Sequence, residues 1–519
     1  MATTRATAGR RPDRPREGSI DTPARARRLG SVRRRASGAV LRWQARLDAP
    51  VADRVLPWSV AAALSLLLAL LSLARARSLD GDPSLAGAVQ GAWVLQEGGT
   101  TVSLDGGVHV FAPHLSLLLW PVAQLTRVLP TESTLLVIQA VALGIAVVPL
   151  WLLARRVANL RVGAAAALLA AYALYPAVHG VNLSGFHIEA VALPALFLAA
   201  WAGLSDRPVL FAAACTVVVL TRADLGLAVA GLGLVLVVNG RRRTGTGALV
   251  GGLAWTIVAA AVIQPWLDAG DPHLRAFADY GSSMPSVLWG LLTSPGAVIG
   301  DLLAEPNLDL LVLLLGPLLF LPVLVPRFLI GVVPIATVTF VAASADDPLW
   351  SGRTVPLTAL LFVATTFALH RLGREGVERV IVDRRLLIAL VLASATFFVQ
   401  AGTASPYRRP WEWGGRDLAD QVRVQVVDVI EPDDAVRSAP SVAVTLAERQ
   451  DLLLLEPGDR PDPDAATDGV DVVVVDESLL DDWTALERRV LLEGIEARGF
   501  ERVLDDRGVV VLRRGGAPG

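Results

Sequence analysis

Long apolar runs recur along most of the chain, and they constrain its fold more than any other feature. A helix needs roughly 20 apolar residues to cross about 30 Å of hydrocarbon, and the runs between residues 57 and 402 approach that length. A soluble surface would not tolerate a composition that is 53% hydrophobic and 18% charged. The sequence therefore predicts a mainly α polytopic transmembrane bundle of about eleven spans. We place them near 57–76, 133–154, 162–180, 189–204, 208–221, 225–239, 246–266, 308–325, 328–344, 354–370 and 386–402.

The segment before the first span is basic and has no apolar periodicity until about Val40. Residues 1–56 hold fourteen Arg against five acids, and every one of the 47 basic residues of the chain is Arg. Such a segment cannot bury enough surface to fold alone. We expect a disordered cytoplasmic tail, followed by a first span that is kept as an anchor because it comes too late for an ordinary secretory signal.

Arginine accumulates in alternate short connectors, which predicts the orientation in the plasma membrane because Arg resists translocation. The expected cytoplasmic connectors contain Arg155, Arg156, Arg161, Arg207, Arg241 to Arg243, Arg327, Arg371, Arg374, Arg379, Arg384 and Arg385. The intervening connectors carry acids instead, among them Asp80, Asp82, Glu97, Asp105, Glu189, Asp268, Asp279, Asp301 and Asp346. The N-terminus is then cytoplasmic, and the segment from Pro113 to Leu129 must lie at the outer interface without crossing.

The composition after Gln400 is that of a soluble protein. Val470 to Asp476 and Gly508 to Arg513 have strand patterns, Asp481 to Arg498 has helical spacing, and Thr445 to Leu455 fits a helical turn followed by a strand. Residues 403–519 are therefore expected to form a small α/β domain. An odd number of spans places it outside the cell.

The first outer loop, residues 77–132, collects Asp80, Asp82, Gln90, Trp93, His109 and His114. A loop this long and polar is usually functional, and a carboxylate in it can serve as general base for a hydroxyl nucleophile. Asp82 precedes Pro83 at an expected helix start, which would hold it rigid and exposed. The alternative is that these residues only solvate a connector.

Two further polar segments border the hydrocarbon. His187 and Glu189 open the fourth span, and they are either a polar helix cap or part of a site, because ionisable residues at this depth tend to line cavities. Arg222 and Asp224 interrupt a long apolar run at an outer corner. The fork of Arg222 suits a phosphate, but a structural pair with Asp224 is the alternative. Tyr280 lies in a broken outer segment, 268–305.

The signatures of common soluble enzymes are absent. No phosphate-binding loop, zinc-protease helix, serine elbow or dinucleotide fingerprint occurs in a suitable context. The single cysteine, Cys215, excludes an intramolecular disulfide and a thiolate metal cluster. No metal-ligating residues and no nucleic-acid partner are predicted.

Several motifs in order resemble a bacterial polytopic membrane family, domain of unknown function 2079 (DUF2079). The resemblance runs from Ser78 to about Leu369 and continues in the tail from Ile430 to Asp476. It is carried by Gln90-Gly-Ala-Trp93, His114 to Pro121, Leu136-Val-Ile-Gln139, Gly185 to Ala190, Arg222 to Gly226, Tyr280-Gly281, Leu315 to Pro322 and Ala447-Glu-Arg449. At the corner the family more typically has Lys-Glu-Asp, where this chain has Arg222-Ala223-Asp224.

That family in turn looks like the C-type glycosyltransferase superfold, as in protein O-mannosyltransferases and lipid A aminoarabinose transferases. The resemblance implies an outer-face active site, an essential acid in the first outer loop and a polyprenyl-phosphate sugar as donor substrate. Asp82 would then be the general base, with Asp80 in reserve, and Arg222 would contact the donor phosphate. The remaining expected substrate-binding residues are His114, His187, Glu189, Gln90, Trp93, Asp224 and Tyr280. A divalent cation as cofactor stays open.

Three functions follow as hypotheses. The first is a membrane glycosyltransferase that moves a sugar from a lipid-phosphate carrier to a cell-envelope acceptor. The second is a transporter or lipid flippase, although the repeated halves and mid-membrane charges typical of transporters are not evident. The third is a noncatalytic envelope scaffold whose C-terminal domain binds a partner.

Overall fold

The computed structural model describes residues 50–79, 83–104, 106–267, 277–281, 284–341, 351–376, 379–411, 413–455, 461–480 and 483–515. Asp80 and Asp82 lie outside these residues. Residues 1–49, most of the expected tail, lie outside them as well. The chain divides into two compact units, Met1–Asp53 and Arg54–Gly519. The second unit holds every element beyond the start of the first helix.

The described residues are mainly helical. Before the corner at Arg222 the helices are α1 (Pro50–Arg77), α2 (Pro83–Glu97), α3 (Leu119–Leu125), α4 (Thr131–Val157), α5 (Val162–Leu183), α6 (Ile188–Leu204) and α7 (Pro208–Thr221). A two-stranded hairpin, β1 (Thr101–Val102) and β2 (Val108–His109), lies between α2 and α3.

The second half of the bundle begins after the corner. Its helices are α8 (Ala223–Val238), α9 (Arg242–Trp266), α10 (Met284–Thr293), α11 (Pro295–Leu302), α12 (Glu305–Leu315), α13 (Pro326–Leu329), α14 (Val333–Val341), α15 (Thr354–Leu372) and α16 (Arg384–Gln400). A second hairpin, β3 (Arg374–Glu375) and β4 (Val380–Ile381), connects α15 to α16.

Five described helices are long and apolar enough to cross a membrane, namely α1, α4, α5, α9 and α15. Helices α6, α7 and α8 are apolar but shorter. The segment from Pro113 to Leu129 contains only the seven-residue helix α3, which is too short to cross, in agreement with the prediction that this segment does not span.

The structure differs from the predicted spans in three places. Helix α1 starts at Pro50, so the last residues of the expected disordered tail are helical. The predicted span 308–325 is broken, because Pro317 and Pro322 cannot donate to a helical ladder and the chain turns through 3₁₀ segments after Leu315. The predicted span 328–344 is likewise divided, into α13 and α14, and neither piece alone can cross.

Helices α8 and α9 approach each other more closely than side chains would allow. A Cβ added to Gly252 would lie 2.3 Å from the carbonyl oxygen of Gly226, and one added to Gly245 would lie 2.7 Å from that of Gly233. Glycines seven residues apart on both helices therefore form a backbone contact. This contact fixes the two helices that follow the corner at Arg222 against each other.

The C-terminal region is the expected α/β domain. Its elements are α17 (Ser405–Arg408), α18 (Leu418–Val429), β5 (Val436–Ser438), α19 (Pro440–Ala443), β6 (Leu452–Leu454), α20 (Pro463–Thr467), β7 (Val472–Asp476), α21 (Ala485–Glu496), β8 (Phe500–Asp506) and β9 (Val509–Arg514). The sheet order is β6-β5-β7-β9-β8, with β6, β5 and β7 parallel and β9 antiparallel to β7 and β8. The strands predicted near 470–476 and 508–513 are confirmed as β7 and β9.

Candidate functional site

A cavity of about 1300 Å³ opens at the end of the bundle where the acid-bearing connectors meet. Its walls come from the N-terminal half of α2, the segment before α3, the start of α6, the corner at Arg222, α12 and the start of α15. One part of the lining is polar, with His114, His187, Glu189, Arg222 and Arg353, and another is apolar, with Leu119, Phe186, Leu310, Leu313 and Phe340.

Arg222 is the electrostatic centre of the polar part. Its Nη1 donates to Glu189 Oε1 at 2.6 Å, while its Nε and Nη2 donate to the two carboxylate oxygens of Asp224 at 2.6 and 2.5 Å. The side chains of Arg222 and Glu189 are nearly buried. A guanidinium has five N–H donors, and the bonds to described residues use three of them. The structural pair expected as an alternative is present.

Backbone hydrogen bonds attach the first loop to the corner. Ala223 N donates to the His114 carbonyl at 3.0 Å, and Leu118 N donates to the Leu220 carbonyl at 3.0 Å. Gln264, at the end of α9, donates to the carbonyls of Ala112 and Pro113. These contacts hold His114 beside Arg222, although the two residues are more than one hundred positions apart in the sequence.

Gln139, buried in α4, positions the segment that carries His187 and Glu189. Its Nε2 donates to the carbonyls of Val181 and Gly185, and its Oε1 accepts from His187 N at 2.5 Å. Gly185 has a φ of +87°, which favours glycine and reverses the chain between α5 and α6. The His187 ring nitrogen Nε2 then lies 2.8 Å from Ser184 Oγ.

The buried Gly352, just before α15, packs directly against Glu189. A Cβ at this position would lie 2.9 Å from the Glu189 carboxylate. The absence of a side chain therefore lets the start of α15 close the cavity against the ion pair.

The opposite wall carries acids and an amide. The Tyr280 hydroxyl donates to the Asp301 carboxylate, and Asn307 Nδ2 donates to the carbonyls of Asp301 and Phe340 at 2.7 and 2.8 Å. Burial and the hydrogen bond to Asp301 raise the pKa of Tyr280 to about 12, so the phenol is neutral at physiological pH. Asp279 and Asp309 complete this wall.

The structure brings most of the predicted site residues together. His114, His187, Glu189, Arg222 and Tyr280 line the cavity, and Asp224 lies behind Arg222. Asp80 and Asp82 lie outside the described residues, but Pro83, which follows Asp82, lines the cavity. Gln90 and Trp93 lie on α2 and are not among the lining residues.

The sequence predicted no site role for Gln139, Ser184, Arg353, Asp301 or Asn307. Gln139 was visible as a lone amide in an apolar span, where a buried polar group requires partners. The others depend on contacts between distant segments. Among the residues that the structure describes, no group of three or more His, Cys, Asp or Glu could hold a metal ion.

The arginine-rich connectors meet at the other end of the bundle. Arg379 Nη1 donates to the Arg155 carbonyl at 2.7 Å, and Arg161 N donates to the Val380 carbonyl at 3.2 Å. Helix α15 starts at the cavity with Thr354 and ends 18 residues later beside these connectors, a distance of about 27 Å. The arginines of these two connectors therefore lie at the end of α15 that is away from the cavity, as the charge pattern predicts.

The model of the family described as predicted membrane protein (DUF2079) matches residues 84–510. Comparison with curated proteins gives no match.

Two solved structures of ArnT from Cupriavidus metallidurans are similar in fold. The structure bound to undecaprenyl phosphate has a TM-score of 0.50 and 14% identity, covering 90% of this chain and 100% of that one. The apo structure has the same TM-score and identity, covering 89% and 99%. At this identity the likeness concerns the fold alone, and it agrees with the predicted C-type glycosyltransferase-like bundle. The chain belongs to the DUF2079 family of membrane proteins.

Proposed function

We propose that the chain is an integral membrane glycosyltransferase that transfers a sugar from a polyprenyl-phosphate carrier to an acceptor of the cell envelope. The observation that carries the proposal is the convergence of His114, His187, Glu189 and Arg222 on one cavity, at the start of the helix that follows Asp82. The fold likeness to ArnT, which has been crystallised with undecaprenyl phosphate, supports the carrier class.

The size and lining of the cavity suit a lipid-linked sugar. Its volume of about 1300 Å³ exceeds the roughly 300–1,000 Å³ of an ordinary small-molecule pocket. The two remaining N–H donors of Arg222 can bind phosphate oxygens, and the histidines can add hydrogen bonds. The apolar side chains of Leu310, Leu313 and Phe340 suit the first isoprene units.

The proposed reaction needs one base and one phosphate site. The acceptor hydroxyl oxygen attacks the anomeric carbon and forms a new C–O bond, while the bond from that carbon to the phosphate oxygen breaks. Asp82 takes the hydroxyl proton, and polyprenyl phosphate leaves with its charge stabilised by Arg222. Asp80 is the reserve base.

We further propose that the cavity and the C-terminal domain face the cell exterior. Single-cysteine variants test this orientation in a Cys215→Ser background. In intact cells a membrane-impermeant maleimide should label Ser84→Cys at the cavity and fail to label Arg374→Cys in the hairpin at the other end. The reverse pattern would contradict the proposed orientation.

Carrier binding is tested with purified protein in nanodiscs and undecaprenyl phosphate as probe. His187→Ala should weaken binding by roughly tenfold, the equivalent of one or two hydrogen bonds to a charged group. The matched control is His109→Ala in the same loop, because His109 does not line the cavity. Equal affinities for both variants and the parent protein would argue against the proposed phosphate site.

Transfer is tested in membrane vesicles with radiolabelled undecaprenyl-phosphate sugars and native envelope acceptors. Asp82→Asn should abolish covalent transfer while undecaprenyl phosphate still binds. Full transfer by this variant would contradict the assigned base. Movement of the lipid across the vesicle membrane without a covalent product would instead favour a flippase.

A further inference from the structure

Helix α2 presents two different faces. Pro83, Ser84, Gly87, Ala88 and Gly91 line the cavity, and their spacing of three and four residues places them on one stripe of the helix. Leu85, Val89 and Ala92 lie on the other side, where they are buried in one apolar cluster. That cluster also contains Val436, Leu452, Val472 and Val511 of the C-terminal sheet. The cavity wall is therefore packed against the C-terminal domain.

Gln90 connects the two parts with hydrogen bonds. The side chain is fully buried. Its Nε2 is 2.7 Å from Ser103 Oγ, 3.1 Å from the Arg449 carbonyl and 3.2 Å from the Gln450 carbonyl, and its Oε1 accepts from Leu104 N at 3.0 Å. One amide thus joins α2, the β1–β2 hairpin and the segment before β6.

Ser103 continues the connection onto the sheet. Its Oγ accepts from Leu452 N at 2.8 Å and lies 2.8 Å from the Leu452 carbonyl and 2.9 Å from the Gln450 carbonyl. Strand β6 is an edge of the sheet, and an edge strand exposes backbone groups that need partners. The hydroxyl therefore caps this edge and attaches it to the first outer loop. Thr131 at the start of α4 adds a hydrogen bond to Glu448 at 2.7 Å.

We infer that Gln90 and Ser103 are positioning residues through which the C-terminal domain sets the placement of α2, and with it the cavity wall and the start of the helix after Asp82. The physical basis is that the Gln90 side chain is fully buried, so a displacement of the 448–452 segment must either move α2 or leave the Gln90 amide without these partners. Occupancy of the cavity and order of the 448–454 segment should then be coupled, and such coupling is reciprocal.

The test uses the full chain in nanodiscs, and it depends on the proposed function only for its probe, undecaprenyl phosphate. Hydrogen exchange at residues 448–454 should slow when the probe binds, although this segment does not line the cavity. Gln90→Leu should abolish that slowing and weaken probe binding by on the order of five- to tenfold. The matched control is Gln96→Leu, because Gln96 lies on the same helix and its amide bonds to Thr126 within the first loop.

Two substitutions of Ser103 distinguish a positioning role from a role in stability alone. Ser103→Ala should weaken probe binding, whereas Ser103→Thr, which keeps the hydroxyl, should restore it. A Gln90→Leu protein that unfolds at a lower temperature but binds the probe normally, with the slowing at 448–454 intact, would overturn the inference. If the parent protein does not bind the probe, the proposed carrier is wrong. In that case the coupling between α2 and the C-terminal domain is tested by hydrogen exchange at residues 83–91, which Ser103→Ala should speed. Unchanged exchange there would refute the coupling.

Discussion

Arg222 Nη1 donates a hydrogen bond to Glu189 Oε1 at 2.6 Å and joins two segments that are 33 residues apart in the chain. The side chains are 11% and 8% exposed, so water screens the pair weakly. Asp224 adds a second carboxylate to the same guanidinium. The arrangement makes Arg222 the cation on which two acids depend.

Arg222→Gln should therefore destabilise the protein by roughly 3–5 kcal/mol, because it leaves two largely buried carboxylates without their cation. Glu189→Gln should lower the free energy of unfolding by a smaller amount, since the bond between Arg222 and Asp224 is kept. The measurement is thermal unfolding in detergent. Arg241→Gln is the control, since Arg241 also pairs with an acid, Asp206, but both are exposed, and such pairs contribute about 0–1 kcal/mol. Similar losses for the two arginine variants would contradict the buried triad.

Gly252→Ala should destabilise the contact between α8 and α9 by about 1–3 kcal/mol, because the new Cβ overlaps the Gly226 carbonyl. The adjacent Gly251→Ala is a matched control, since nothing lies within 4 Å of a Cβ there. Alanine favours a helix over glycine by about 1 kcal/mol, so the control should be neutral or stabilising. Unfolding temperatures in detergent compare the two, and an equal response would argue against a close helix contact.

Gln139→Leu should release the segment from Gly185 to His187, because the three hydrogen bonds of the buried Gln139 amide are lost at once. We expect a loss of stability of roughly 2–4 kcal/mol, together with faster hydrogen exchange at residues 184–190. Gln96→Leu again serves as control, with no change in exchange there. Unaltered exchange at 184–190 in the Gln139 variant would show that the segment is held by other contacts.

The C-terminal domain should lose stability in acid through Asp476. Burial alone would raise the pKa of Asp476, but hydrogen bonds from Arg423, Ser441 and Ser478 outweigh it and hold the pKa below its ordinary value of 3.8. A depressed folded-state pKa gives stability that is present above about pH 4 and is lost as the pH falls through the folded value. Hydrogen exchange of β7 between pH 5 and pH 3, corrected for intrinsic rates, reports this loss.

Asp476→Asn should flatten that pH dependence and lower stability at neutral pH, because the bond to Arg423 loses its charge. The exposed Asp505 on β8, which pairs with Arg502, gives the control Asp505→Asn. The control should keep the acid dependence of the parent protein. If the Asp476 variant kept the full acid dependence, the loss of stability in acid would come from other carboxylates.

The sequence by itself determined the membrane class, most helix positions and the separation of the two kinds of connector. The predicted span 354–370 is found within α15 and the predicted strand 470–476 contains β7, because apolar length and periodicity are local properties. The spans 308–325 and 328–344 were wrong as single helices. Pro317 and Pro322 break the first, and the second is interrupted between Leu329 and Val333, while apolar content alone predicted continuous helices.

Only the tertiary structure decided which polar residues share a cavity. Arg222 meets Glu189 and lies beside His114 because backbone bonds at the corner and the amide of Gln139 place three distant segments together. The sequence predicts that Gln90 binds substrate, yet two of its hydrogen bonds go to the segment before β6, more than 350 positions away. The physical reason is that a buried polar group needs a hydrogen-bond partner, and packing decides which group comes near enough to be that partner. The spacing of residues along the chain does not show which group this is.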